Sequence, residues 1–229
     1  MPAPDWVPFV SWGCYLRVSG ASRYNYDRKT KPMKVIPPPA PPYMEFAVRW
    51  TRDDCDKLEA AGVLHYRYEL IEGVIIRKMG QYLPHAATVG DALAWLYGHF
   101  DKRLILTQTS IAVAPGETAL TRPEPDVIVL NKPKRDIPAD EPRPEDIALL
   151  IEVSDTTLEY YLQTKAAVYG RAGVPQYLVI DIVGRVVYVH TNTPSGVYQC
   201  VTRNPGDALT LLAAPHLAFS VDDLLLPTA

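Results

Sequence analysis

The fold is decided by residues 147–181, "IALLIEVSDTTLEYYLQTKAAVYGRAGVPQYLVID". Ile147, Ala148, Leu149, Leu150, Ile151 and Val153 form an almost unbroken apolar run, the pattern of a strand buried on both faces. Thr156-x-x-Glu159 then has the form of a capping box and predicts a helix running to Ala172 and stopping at Gly173. "QYLVID" comes next as a second buried strand. Strand, helix and strand in this order make a right-handed βαβ crossover, the unit that joins parallel neighbours. One residue is out of place: Glu152 lies near the end of the apolar run, where an unpaired carboxylate is very unfavourable.

Upstream, "WTRDDCDKLEAAG" (50–62) predicts a helix, with Thr51 and Asp54 as a capping box and Gly62 as its stop. "YRYELIEGVIIRKM" (66–79) predicts a hairpin turning at Glu72-Gly73. "HAATVGDALAWLYGHF" (85–100) predicts a second helix, its stripe His85, Val89, Ala92, Leu93, Leu96 and Phe100 keeping the 3.6 period. "LILTQTSIAVA" (104–114) reads as one strand and "DVIVL" (126–130) as a short buried one. Downstream, "RVVYVHT" (185–191) and "VYQCVTR" (197–203) read as an antiparallel pair, and Ser220 as the cap of a short last helix. The fold class is α/β: a mixed central β-sheet flanked by helices, with an antiparallel C-terminal β extension.

Residues 1–43 show no convincing period, and "KVIPPPAPPY" (34–43) reads as a stiff proline-rich spacer. The expected organisation is a basic N-terminal extension over 1–43 and a domain over 44–229. Seven basic side chains stand against three acidic ones in the first 50 residues, although the whole chain carries a net charge of −3. An acidic total disfavours tight non-specific binding to phosphate backbones, so any nucleic-acid surface must be a local patch. The basic group "NKPKR" (131–135) reads as a solvated loop. No apolar run approaches the roughly 18 residues of a membrane span, and the N-terminus lacks the pattern of a secretory signal. Cys14, Cys55 and Cys200 are odd in number and far apart, which argues against a disulfide framework and predicts a cytoplasmic protein with no membrane partner.

Three charged residues stand where charges are disfavoured. Asp126 opens the strand "DVIVL", Glu152 lies in "IALLIEV", and Lys165 lies on the helix between the two buried strands. At about 100° per residue, Leu158, Tyr161, Leu162, Val168, Tyr169 and Ala172 share one side of that helix, and Lys165 falls among them. A lysine facing the sheet needs a carboxylate partner or a role at a metal site. On adjacent strands, Asp126 and Glu152 would lie about 5 Å apart, close enough to share a proton or a cation. Two hard oxygen ligands, completed by water and substrate phosphate, suit Mg²⁺. The plainer alternatives are a Glu152–Lys165 ion pair and an Asp126 held by backbone N–H groups.

"YELIEG" (68–73), His85, "PDVIVL" (125–130), "LLIEVSD" (149–155) and "KAAVYGRAGVPQYLVID" (165–181) together resemble the Uma-type family of restriction endonucleases, assigned to the PD-(D/E)xK nuclease superfamily. The resemblance runs from about residue 46 to the C-terminus and implies a restriction-endonuclease-like fold. It implies Asp126 and Glu152 as acidic metal ligands, with the Val153 carbonyl as a third, and Mg²⁺, replaceable by Mn²⁺, as the cofactor. The superfamily lysine normally stands two residues after the glutamate, where this chain has Ser154; Lys165 matches the helix lysine that replaces it. Glu69 matches the superfamily's early glutamate and His85 a family histidine. The family often has Asp where this chain has Tyr161. The activity implied by the resemblance is that of a metal-dependent endonuclease hydrolysing DNA phosphodiester bonds to a 5′-phosphate and a 3′-hydroxyl. A homodimer is expected where both strands of a duplex are cut. The alternative is a catalytically inactive nuclease fold serving as a binding or interaction module.

Overall fold

A computed structural model of the chain describes residues 33–34, 46–78, 80–138 and 140–225. The strands are β1 (Met33–Lys34), β2 (Tyr68–Ile71), β3 (Val74–Arg77), β4 (Ile105–Thr107), β5 (Val127–Leu130), β6 (Ile147–Ser154), β7 (Gln176–Asp181), β8 (Val186–Thr191), β9 (Gln199–Arg203), β10 (Ala208–Leu211) and β11 (Ala214–Ser220). The helices are α1 (Arg52–Ala60), α2 (Leu83–His99), α3 (Leu158–Tyr160) and α4 (Ala166–Ala172), with a π-helical turn at Tyr161–Lys165 joining the last two. The proline-rich spacer expected at 34–43 lies outside the described residues, save Lys34.

Seven strands form one sheet in the order β1-β9-β8-β7-β6-β5-β4. Only β6 and β7 run parallel, because only they are joined by a helical crossover. Every residue of β6 and β7 is buried, as the apolar runs require. One face packs against α2 and the β10–β11 ribbon through Val127, Val129, Leu149, Ile151, Val153, Leu96 and Phe219. The other carries Ile128, Leu150, Tyr177 and Val179 against Val168 and Tyr169 of α4. Side chains alternate along a strand, so Glu152 and Asp126 fall on the face of Leu150 and Ile128, beneath α3 and α4. The antiparallel pairing Val127↔Ile151, carried one step further, sets Asp126 opposite Glu152.

The capping box at Thr51 and Asp54 is formed, with both reciprocal bonds present. The β2–β3 hairpin turns at Glu72 (φ 50°) and Gly73 (φ 81°). Gly73 is required there twice over: its φ is left-handed, and a Cβ would stand 2.5 Å from the Arg49 Cβ. Ser220 accepts from the Asp222 N–H and caps a short 3₁₀ turn.

Two sequence expectations are corrected. The stretch 104–114 is a strand only over Ile105–Thr107, at the edge of the sheet beside the short β5. Gln108 then takes φ 46°, and the backbone leaves the sheet to pair elsewhere, Ile111 N–H with Pro123 O and Ala112 N–H with Pro142 O. The second correction concerns the helix after β6. Thr156 and Glu159 form no capping box; the helix begins at Leu158, and its N-cap Thr157 makes no side-chain cap bond. The helix is also not uniform, because the π turn admits an extra residue at the level of Lys165.

Candidate active site

Glu152 does not stand unpaired. Lys165, 1 % exposed, donates from Nζ to Glu152 Oε1 and to Glu69 Oε1, the latter at 2.7 Å. Glu69 arrives on β2; its Oε1 also accepts the Glu124 N–H at 2.6 Å. Tyr169 of α4 donates its hydroxyl to Glu152 Oε1 at 3.1 Å. Three tyrosine rings surround the ammonium, with centroids 6.0 Å (Tyr160), 5.3 Å (Tyr161) and 5.9 Å (Tyr169) from Nζ.

Asp126 forms a second group. Its Oδ2 accepts the Val153 N–H at 3.0 Å and lies 3.3 Å from His85 Nε2 at the start of α2. The buried His85 Nδ1 has no hydrogen-bond partner among the described residues. The five side chains singled out from the sequence therefore fall into two contacting sets: Glu69, Lys165 and Glu152 in one, and His85 and Asp126 in the other. Adjacent strands β5 and β6 hold the two sets together. Both plainer alternatives are realised as contacts, the Glu152–Lys165 pair and an Asp126 held by a backbone N–H. Ser154, where the superfamily lysine is absent, is fully buried, and its hydroxyl has no hydrogen-bond partner among the described residues.

The electrostatics follow from burial and pairing. Burial pushes the Glu152 carboxyl up to about 8 against the pull of Lys165, because one ammonium is shared by two carboxylates and Asp126 adds further negative charge. Burial works against a charged Lys165, but Glu152 and Glu69 outweigh it and hold the ammonium well above its ordinary range. For Asp126, burial is outweighed by the His85 and Val153 bonds, and its carboxyl falls below its usual value. His85 is raised, the penalty of burial being exceeded by the bond and charge of Asp126 and the charge of Glu152.

A cavity of about 560 Å³ opens over this floor. Glu69, Asp126 and His85 line it together with Arg67, Arg77, Lys78, Tyr82, Tyr160 and Tyr161. Glu124 organises one wall, its carboxylate pairing with Arg67 and, at 3.6 Å, with Lys78, whose Nζ also donates to the Glu124 carbonyl at 2.8 Å. Sequence reasoning missed these wall residues and the ring of tyrosines. Tyr161 and Tyr169 lay in the helix stripe but read there as apolar filling. Nothing in the local pattern of "TRPEPD" distinguishes Glu124.

The donor chemistry fits a hard divalent cation: carboxylates at Asp126 and Glu152 and a backbone carbonyl at Val153. Among the described residues no three His, Cys, Asp or Glu side chains converge as a ligand set, so water or substrate oxygens would complete any coordination shell.

A mixed sheet with carboxylates and a lysine gathered on adjacent strands and the crossover helix defines a nuclease-like α/β protein. Residues 58–222 match the family described as "Uma2: Putative restriction endonuclease", and the chain belongs to that family. The fold is similar to that of a crystal structure described as "a putative nuclease belonging to DUF820" from Anabaena variabilis. The match has a TM-score of 0.54 at 16 % identity and covers 70 % of this chain and 90 % of the other. No curated protein matches the sequence. No described helix is long and apolar enough to cross a membrane.

Proposed function

We propose that the chain is a metal-dependent DNA phosphodiester hydrolase, with its domain at 44–229, to whose sheet β1 adds an edge strand, and its site at Asp126, Glu152, Lys165, Glu69 and His85. The observation that carries this reading is the buried pairing of Lys165 with Glu152 beside Asp126, beneath a cavity edged by Arg67, Arg77 and Lys78. Charges are kept in a core only where they are paired, and an apolar set would fill the same space with less penalty.

In this reading Asp126, Glu152 and the Val153 carbonyl would hold Mg²⁺, or Mn²⁺ in its place. The ion when bound supplies Lewis acidity and offsets phosphate charge. Lys165 positions the attacking water: an ammonium has three donors, and Glu69 and Glu152 occupy two. Glu69 fixes the lysine through a second bond to Nζ, at 2.7 Å. His85 orients the Asp126 carboxylate through Nε2. Arg67, Arg77 and Lys78 draw the phosphate backbone toward the site despite the acidic net charge. Cleavage leaves a 5′-phosphate and a 3′-hydroxyl.

The test joins calorimetry to plasmid cleavage. The wild-type chain is expected to bind Mg²⁺ or Mn²⁺ and to nick or linearise DNA. Asp126→Asn should abolish both while leaving the thermal midpoint within a few degrees. If neither cation binds, and Asp126→Ala is as stable as the wild type or more so, the catalytic reading is lost. The second reading, a fold kept for binding alone, is favoured by one observation: Lys165 is sealed at 1 % exposure with carboxylates on two sides. It predicts DNA binding without cation uptake or cleavage.

A further inference from the structure

We infer that the cavity over Asp126 takes a single strand of DNA, with one base stacked on Tyr82. This rests on the hydrolase reading above and names the form of its substrate. The argument begins with depth. Asp126 is 2 % exposed and lies at the floor, so a scissile phosphate reaches it only by entering the cavity with its own sugar and base. A volume of about 560 Å³ is on the scale of a small-ligand pocket. One nucleotide with part of the next fits such a space. A base still paired and stacked in a duplex enters such a pocket only by leaving its stack, which an unpaired strand does at less cost.

The walls match the chemistry of an unpaired nucleotide. Tyr82, just before α2, is 70 % exposed and lines the cavity, yet it has no aromatic partner among the described residues. A large ring left open to water at the edge of a polar site is a stacking platform, and every base offers it a π-face. Ile76, Tyr160 and Tyr161 extend the apolar wall beyond it. Arg77 lies over the Tyr66 ring, 4.9 Å from its centroid, with no carboxylate at ion-pair distance among the described residues. Its charge remains available to a phosphate on the same wall. Alternating cations and aromatic faces is the arrangement by which single strands are bound without reading sequence.

The experiment measures binding and cleavage separately on the full chain. A fluorescein-labelled 20-nucleotide strand and the same strand in a duplex are titrated by anisotropy with Ca²⁺ in place of Mg²⁺. The single strand is expected to bind at least tenfold more tightly. Tyr82→Ala should weaken that binding by roughly tenfold, the typical effect of losing one stacked base, and Tyr82→Phe should restore it. Metal uptake by calorimetry should be unchanged in both variants, because the Tyr82 ring supplies no ligand to the cation. Equal affinity for strand and duplex, or a Tyr82→Ala variant that binds the strand normally, overturns the inference. If neither form is cut with Mg²⁺ or Mn²⁺ while the strand preference and the Tyr82 effect persist, the hydrolase reading falls and the single-strand site stands.

Discussion

Two buried titratable centres share one face of the sheet and are treated in opposite ways. On β6, Glu152 is 1 % exposed and keeps company with Lys165, Glu69 and the Tyr169 hydroxyl. Two strands away on β8, His190 is fully buried with no carboxylate at ion-pair distance among the described residues. It packs instead against Tyr177 and Tyr198, at centroid distances of 5.2 and 5.6 Å. Burial pushes the His190 ring down to about 4, opposed only by the Tyr177 and Tyr188 backbone, so it is neutral near pH 7. Burial acts on both centres, but only the one on β6 has been given opposite charges. The tyrosines link them: Tyr177 packs edge-on to Tyr169, whose hydroxyl reaches Glu152. Burial alone keeps the histidine neutral, whereas the carboxylate on β6 is held beside the Lys165 ammonium.

Removing the ammonium should have the largest effect. Lys165→Met leaves Glu69 and Glu152 buried without their counter-charge, and urea denaturation at pH 9 should show a loss of about 3–5 kcal/mol. The deficit should widen as pH rises. Burial already raises the Glu152 carboxyl; without the lysine it holds a proton that the unfolded chain releases, so each step upward in pH favours unfolding. Adding Glu152→Gln should recover part of the loss. A Lys165→Met variant within 1 kcal/mol of the wild type would mean that the pairing contributes little.

The histidine supplies the opposite pH dependence. Its folded value of about 4 lies below the ordinary 6.5. The unfolded chain therefore takes up the proton first as pH falls. The stability contribution is complete above about pH 6.5 and is lost between there and about 4, roughly 3 kcal/mol in all. His190→Phe keeps a ring between the tyrosines and should abolish that acid-side loss. Urea midpoints measured from pH 7 to 4 compare the two chains directly. Parallel profiles would break the contrast between the centres.

The smallest effects separate charge-assisted from neutral hydrogen bonds. At pH 9, above the displaced titration of Glu152, Tyr169→Phe should cost about 1.5–3 kcal/mol. Tyr198→Phe loses a bond to the Val174 carbonyl at 2.9 Å and should cost about 0.5–1.5 kcal/mol. Equal losses, read from denaturation midpoints, would show that the carboxylate charge adds nothing to the Tyr169 bond.

Much of this was legible along the chain because it is local. The apolar runs of β6 and β7, the capping box at Thr51 and the turn at Glu72-Gly73 follow from periodicity and backbone preference within a few residues. The inward direction of Lys165 follows from the helical period and the apolar company it keeps. The overlong strand at 104–114 failed because edge strands end where their neighbour ends, and β5 is short. The misplaced capping box at Thr156 failed because tertiary packing, not side-chain caps, sets where this helix begins and where its π turn falls.

Residue types alone established that charges at Asp126, Glu152 and Lys165 would need partners, since a core tolerates no isolated ion. The Glu152–Lys165 pair was among the readings the sequence offered; the remaining partners were decided only in three dimensions. Glu69 reaches Lys165 across 96 residues of chain, Asp126 is held by the N–H of Val153 and the ring of His85, and the wall of Arg67, Lys78 and Glu124 assembles from separate segments. Hydrophobic period is a property of neighbours in sequence. An electrostatic network is a property of neighbours in space, and loop closure between distant segments leaves no trace in either segment alone.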